Sequence, residues 1–321
     1  MEEARRADGP DLARSPVIST REELLYRARK VWAKKKLGQN FFVDPEGLDR
    51  IVDSMSITSE DHVLEIGFGL AFLTEALAAT GAKITGIELD RELIESSANR
   101  FESHVNLLHG DFLDFDLDSL SPPVTKIVGN VPYQITSPII AHIFGEIGEP
   151  SPWYKNLSCV VMTIQREVAE RLIAKPGSKQ YSHLTVLKDY LFDAEILFTV
   201  PPLSFFPVPD VTSSVVRLTP LAKPPIEPNN MALFKRILRA GFKSRRKMLK
   251  NNLAFLKLTE PQITSIMRNA NINPNGRAED LSIQQFAKLS DALGEHLPDD
   301  IEIEQSHDED DEAILSDHSD V

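Results

Sequence analysis

Three successive segments place glycine, acid and amide side chains where they could hold a nucleoside. In HVLEIGFGLAFLTEAL, Gly67 and Gly69 fall between a strand-like run and a helix-like one. Glycine there lets the backbone turn tightly and approach a ligand closely. Glu88 ends the next strand-like run, nineteen residues after Gly69, in position to grip a ribose diol. Gly110-Asp111 ends the run after that, where a carboxylate can accept a bond from an adenine amino group. Phe72 stands where a dinucleotide fingerprint has its third glycine, and no Gly-Lys-Ser/Thr follows, so pyrophosphate and P-loop chemistry are disfavoured. A nucleoside without a pyrophosphate is left. S-adenosylmethionine fits, because its sulfonium tolerates neighbouring carboxylates. The bland alternative is a sheet whose strands merely end in polar residues; it suits one glycine pair better than three matched strand ends.

KIVGNVPYQITSP puts Asn130 at the end of a fourth strand-like run, the ligand edge of an open parallel sheet. Pro132 stiffens the turn and Tyr133 adds a flat ring. An exocyclic adenine amine is a poor nucleophile, since its lone pair is delocalised into the ring. If the Asn130 side-chain oxygen and the Val131 carbonyl accept its two N–H bonds, the nitrogen can pyramidalise while Tyr133 stacks on the base. No strong base is needed. The methyl leaves a cationic sulfonium, so alignment supplies most of the help, up to ~7–11 kcal/mol. Alone, the four residues Asn130, Val131, Pro132 and Tyr133 are an ordinary proline turn; after the glycine loop and both acids, in that order, they are specific.

Parallel-sheet elements must carry these groups. Strand-like runs at His62–Ile66, Lys83–Glu88, Val105–Leu108, Lys126–Gly129, Ser158–Ile164, Ala194–Val200 and Ser214–Leu218 alternate with helical patterns at Leu70–Ala79, Arg91–Phe101, Ser137–Phe144 and Arg166–Ala174. Such alternation predicts a mostly parallel, helix-covered sheet, with the last two strands forming an antiparallel edge. Residues 1–33 are expected to be an arm and a helix, Arg21 to Lys36, closed at Gly38. Residues 34–220 form the sheet domain, and proline-rich 221–228 a linker. Residues 229–297 form a small helical domain, with capping boxes at Thr259/Gln262 and Ser282/Gln285. An acidic tail, 298–321, is expected to be disordered.

Charge is unevenly spread over the 321 residues. Positions 299–321 carry 11 acids and no Lys or Arg, so removing them takes the net charge from −13 to −2. Arg27–Lys36 holds six cations and Lys235–Lys250 eight, both without an acid. Like charges so concentrated favour an RNA backbone over a merely solvated face. Lys34, Lys35 and Lys36, and Lys243, Arg245, Arg246, Lys247 and Lys250, are the expected contacts. Trp32, amid the first cluster, packs or stacks on RNA. The histidines show no metal-ligand spacing, and no metal is expected. The lone Cys159 excludes a disulfide within the chain and fits the reducing cytoplasm. No apolar run is long enough for a membrane span and no secretory signal is visible. Nothing requires more than a monomer.

KKKLGQNFFVD, VLEIGFGLAFLT, IELD, HGD, GNVPYQITSPI, QREVAERLIAKPGSKQY, VPPLSFFPVPDVTSSVVRL and FKSRRKMLKNNL resemble the successive motifs of the small-subunit ribosomal RNA adenine dimethyltransferases, from about Lys34 to about Leu293. The resemblance implies an α/β fold: the Rossmann-like, seven-stranded, mostly parallel sheet of class I S-adenosylmethionine-dependent methyltransferases, plus a small all-helical C-terminal domain. It implies dimethylation of two adjacent adenines in the 3′-terminal hairpin loop (helix 45) of 16S rRNA, within the immature 30S subunit and as part of its biogenesis. Asn40 and Phe42, with Gly67, Glu88, Asp111 and Asn130, would line the methyl-donor site, supported by Gln39 and Glu65. Asn130 to Tyr133 would hold the target adenine, and Phe205 would stack on the flipped base. Phe42, Phe68, Ala71, Val131 and Gln134 depart from the commoner residues and bear on fit rather than reaction type. Two other readings are a large-subunit rRNA dimethyltransferase, separable by mapping the methylated nucleotide, and a non-catalytic assembly or transcription factor. The intact Glu88, Asp111 and Asn130 set argues against the latter.

Overall fold

Near-continuous apolar runs build strands that are covered on both faces, the pattern of a parallel sheet between helices. The computed structural model describes residues 19–97 and 100–297. Its main sheet comprises β1 (His62–Ile66), β2 (Lys83–Glu88), β3 (Val105–His109), β4 (Lys126–Asn130), β5 (Cys159–Gln165), β6 (Phe192–Val200) and β7 (Ser213–Pro220). The spatial order is β3-β2-β1-β4-β5-β7-β6. The first five strands are parallel, and β7 runs antiparallel to both β5 and β6. Register aligns Ile66 with Ile87 and Gly129, Glu88 with His109, and Asn130 with Thr163. The carboxyl ends of four strands therefore open on one edge. Gly129 is required there, since a Cβ would lie 2.8 Å from the Ile66 carbonyl oxygen.

Alternate strand residues feed two cores. Val63, Val128, Val161 and Val215 face helices α1 (Arg21–Arg29), α2 (Pro45–Ser54) and α3 (Phe72–Ala78). Leu64, Ile127, Val160, Met162 and Val216 face α5 (Thr136–Phe144) and α7 (His183–Leu191). Helices α4 (Arg91–Ser97) and α6 (Arg166–Leu172) complete the cover. Beyond Pro220 an irregular stretch leads to α8 (Met231–Lys243), α9 (Leu249–Asn252), α10 (Glu260–Asn269) and α11 (Ile283–Gly294). Both expected capping boxes are present. Leu233, Phe234, Ile237 and Leu238 of α8 join the same core as Ile143 and Leu187, so sheet and C-terminal helices share one apolar interior.

Three elements differ from expectation. Helix α1 stops at Arg29, capped at Lys30, and a single turn of 3₁₀ helix (Lys35–Leu37) follows after Lys34, whose side chain reaches Asp90. Helix α2 was not foreseen, although Asp44 caps it and Pro45 occupies its first turn. Helix α7 was not foreseen because nearly all of it is buried, which erases the one-sided stripe that marks a surface helix. The expected arm and tail lie outside the described residues. No described helix is long and apolar enough to cross a membrane.

Candidate active site

A cavity of about 310 Å³ opens at the carboxyl edge of the sheet, lined by Gly67, Gly69, Glu88, Asp111, Asn130 and Tyr133 among others. The turn after β1 shapes its floor. Gly67 has φ +67°, and a Cβ there would meet nothing within 4 Å, so the backbone borders open space. Glu88 is 8% exposed, and both its oxygens are engaged. Oε2 accepts the Gly69 N–H and Oε1 the Asp90 N–H, each at 2.9 Å. Burial pushes its pKa up, while those N–H bonds pull it down. Beneath lies Glu65, 2% exposed, accepting the Thr74 hydroxyl at 2.6 Å. Burial, reinforced by Glu88, pushes its pKa up to about 8 against the pull of the Thr74 bond. Asp111 caps the 3₁₀ turn Phe112–Asp114, its Oδ1 accepting the Leu113 N–H at 3.0 Å.

The amide of Asn130 is oriented by one contact: Nδ2 donates to the Asn40 carbonyl at 2.7 Å, which leaves Oδ1 as the acceptor. Val131 is buried and its N–H donates to the Thr163 carbonyl at 3.2 Å. The Tyr133 hydroxyl shares a 2.7 Å bond with Ser213, and burial raises its pKa. Asn40 arrives on a clamped segment. Lys34 Nζ lies 2.7 Å from Asp90 Oδ1, Gln39 Nε2 donates to Oδ2 at 3.0 Å, and the Lys34 N–H donates to Gln39 Oε1 at 2.8 Å. Asp90 is buried at 4% exposure; burial opposes its charge, but the Lys34, Gln39 and Glu92 N–H bonds outweigh it and hold its pKa down. Sequence reasoning missed Asp90 as the anchor, though it ends the IELD motif.

Several expected site residues lie elsewhere. Phe42 does not line this cavity; it covers Gly47 and stacks on Phe205 with ring centroids 5.0 Å apart. Its neighbour Phe41 does line it. The two residues pair with Phe206 and Phe205 as a short strand, and one step along a strand reverses the face. Phe205 is 1% exposed within the core, so it is no stacking surface for a base. Among the expected RNA contacts, Lys34 is held by Asp90 and Glu92. Arg245 bonds Glu279 at 3.1 Å and the carbonyls of Tyr181 and Lys179. Lys250 pairs with Glu260 at 2.8 Å. Acids from distant segments neutralise these three, which a local count of charge cannot show. Lys36, Lys243, Arg246 and Lys247 are exposed, and the Lys35 side chain lies outside the described set.

A larger cavity of about 740 Å³ lies between α5 and α8 but contains neither the glycine turn nor the acid pair. Only the smaller one suits a cationic nucleoside: it offers Glu88 and Asp111, with Lys36 its single Lys or Arg. That donor set, and the open space over Gly67, fit S-adenosylmethionine. Among the described residues no cluster of three metal-ligating side chains occurs.

Residues 31–295 match the family model described as ribosomal RNA adenine dimethylase. Proteins called ribosomal RNA small subunit methyltransferase A are similar: that of Acaryochloris marina is 40% identical over 266 residues, covering 81% of this chain and 97% of the relative. That of Caldanaerobacter subterraneus is 38% identical over 268 residues, again covering 81% and 97%. The crystal structure of a dimethyladenosine transferase from Plasmodium falciparum superposes with a TM-score of 0.63 at 25% identity, covering 77% of this chain and 94% of that one. A 23S rRNA methyltransferase, ErmE, shares the fold with a TM-score of 0.60 at 24% identity, covering 79% of this chain and all of that one.

Proposed function

The chain belongs to the ribosomal RNA adenine dimethylase family, and we propose that it methylates N6 twice on each of two adjacent adenines in the 3′-terminal hairpin loop (helix 45) of 16S rRNA, inside the immature 30S subunit. It would act as a cytoplasmic monomer without a metal. The observation that carries this reading is the fixed amide of Asn130, whose Oδ1 is left as an acceptor at the sheet edge that also bears Glu88 and Asp111.

When bound, S-adenosylmethionine supplies an electrophilic methyl on a positively charged sulfur. Glu88 would hold the donor's ribose and Asp111 its adenine amine, while Gly67 and Gly69 let the backbone come close. Asn130 Oδ1 and the Val131 carbonyl would accept the target amine's N–H bonds and turn its lone pair out of the ring plane. Tyr133, tethered to Ser213, would cover one face of the base. After the first transfer one N–H remains, so one of those acceptors must face a methyl in the second round. The proton lost at each step leaves the exocyclic N6 for water, because that nitrogen is only weakly basic once its lone pair is again conjugated with the ring.

The test is methyl transfer to immature 30S particles, to naked 16S rRNA and to 23S rRNA, with mass spectrometry locating the product. Dimethyladenine at two adjacent positions of the 3′-terminal hairpin is expected; product confined to 23S rRNA would overturn the substrate. Asn130→Ala is expected to lower turnover at least a hundredfold with RNA affinity within threefold of the parent.

A further inference from the structure

Among the described residues Trp32 is the most exposed large hydrophobic side chain, at 90%. The indole makes little contact with the described part of the fold, so its flat faces are open to a ligand. The backbone beneath it is fastened on both sides. Upstream, Arg27 of α1 is bonded to both Glu75 oxygens, at 3.0 and 2.9 Å. Downstream, Lys34 and Gln39 grip Asp90. A concavity of about 560 Å³ beside the indole is lined by Trp32, Ala33, Lys34, Lys36 and Leu37. Lys36 and Leu37 also line the active-site cavity, so Trp32 stands at that cavity's outer rim. Lys36 and Lys30 are exposed nearby, the latter with its ammonium 4.1 Å from the Tyr26 ring centre. A flat ring beside exposed cations is how single-stranded nucleic acid is gripped: the base stacks and the phosphate meets the charge.

We propose that Trp32 stacks on a nucleotide flanking the target adenine, with Lys36 at the adjoining phosphate, so that the neighbour is held outside while the target enters the cavity. This rests on the RNA adenine reading above. Trp32 touches no reacting atom and is a positioning residue. The surrounding cations favour RNA over an apolar protein surface as its partner.

The chain has two tryptophans, and the other, Trp153, is 8% exposed, so solvent-exposed emission reports Trp32. Titrating the full-length protein with a hairpin RNA carrying two adjacent loop adenines should quench that emission; in Trp32→Phe the remaining Trp153 signal should not move. With immature 30S particles, Trp32→Ala should raise KM for RNA about tenfold, with kcat changing less than twofold and donor affinity unaltered. Trp32→Tyr should recover most of the lost affinity, because a ring is restored. Unmoved emission in the parent protein, or a wild-type KM in the alanine variant, would overturn the proposal while leaving methyl transfer, and the functional reading, intact. A parent protein that transfers no methyl would sink the functional reading, and the quenching experiment would still decide whether Trp32 meets RNA.

Discussion

Two side chains at the carboxyl edge take their properties from one or two neighbours each. Asn130 donates one amide N–H to the Asn40 carbonyl, which fixes which end of the amide is the acceptor; Asp at 130 would lose that bond and present two acceptors with a charge. Glu65 is set by burial. Its folded pKa of about 8 lies above the ordinary 4.5. Between these values the native chain keeps a proton that the unfolded chain has lost. Stability is therefore fully present below about pH 4.5 and falls as pH rises through 8, by about 5 kcal/mol at the limit. Glu65→Gln abolishes the titration and keeps an acceptor for the Thr74 hydroxyl. Urea denaturation at several pH values should show the variant gaining on the parent from near parity at pH 5 to several kcal/mol at pH 8. Parallel stability curves would refute a neutral, buried Glu65.

Among the elements, the segment from Lys34 to Asn40 has the least regular structure and the most to position. It brings Asn40 to Asn130, and it is held chiefly by Asp90 at the end of β2. Asp90→Ala removes the buried end of that clamp and leaves Gln39 without its acceptor. A loss of about 2 kcal/mol is expected, below the usual cost of a broken buried pair because Lys34 can return to water. Amide exchange at residues 34–40 should quicken, and donor affinity should fall about tenfold by calorimetry; unchanged exchange there would refute the clamp. Such a long-range tie is what sequence could not show. The strands were legible within about two residues because both faces of the sheet are apolar, and Thr259 and Ser282 announced α10 and α11 through their caps. The glycine turn, Glu88, Asp111 and Asn130 were legible because each ends a strand. What failed were faces and partners: Phe42 for Phe41, a Phe205 that proved buried, and cations whose acids lie far away in sequence.

For the whole molecule the decisive feature is the interior that the sheet shares with α8–α11. Phe242 of α8 meets Tyr181 and His183, with ring centres 6.2 and 6.3 Å apart. His183 is 8% exposed, and its Nδ1 has no protein partner. Burial, aided by Arg239, pushes its pKa down to about 4, below the ordinary 6.5. The native state thus holds a neutral ring that the unfolded chain would protonate. The associated stability is fully present above pH 6.5 and is lost as pH falls toward 4, about 3 kcal/mol in all. His183→Leu, apolar and of similar size, removes that titration. Calorimetry should show one transition for the parent, its midpoint falling relative to the variant's from pH 6.5 to 4. The sign is opposite to that expected for Glu65, so the two variants separate the two groups in one pH series. Because the interior is continuous, amides of α8 and of β5 should lose exchange protection together at the acid end. Earlier loss in α8 would mean that the helical part folds on its own and that its junction with the sheet carries little of the stability.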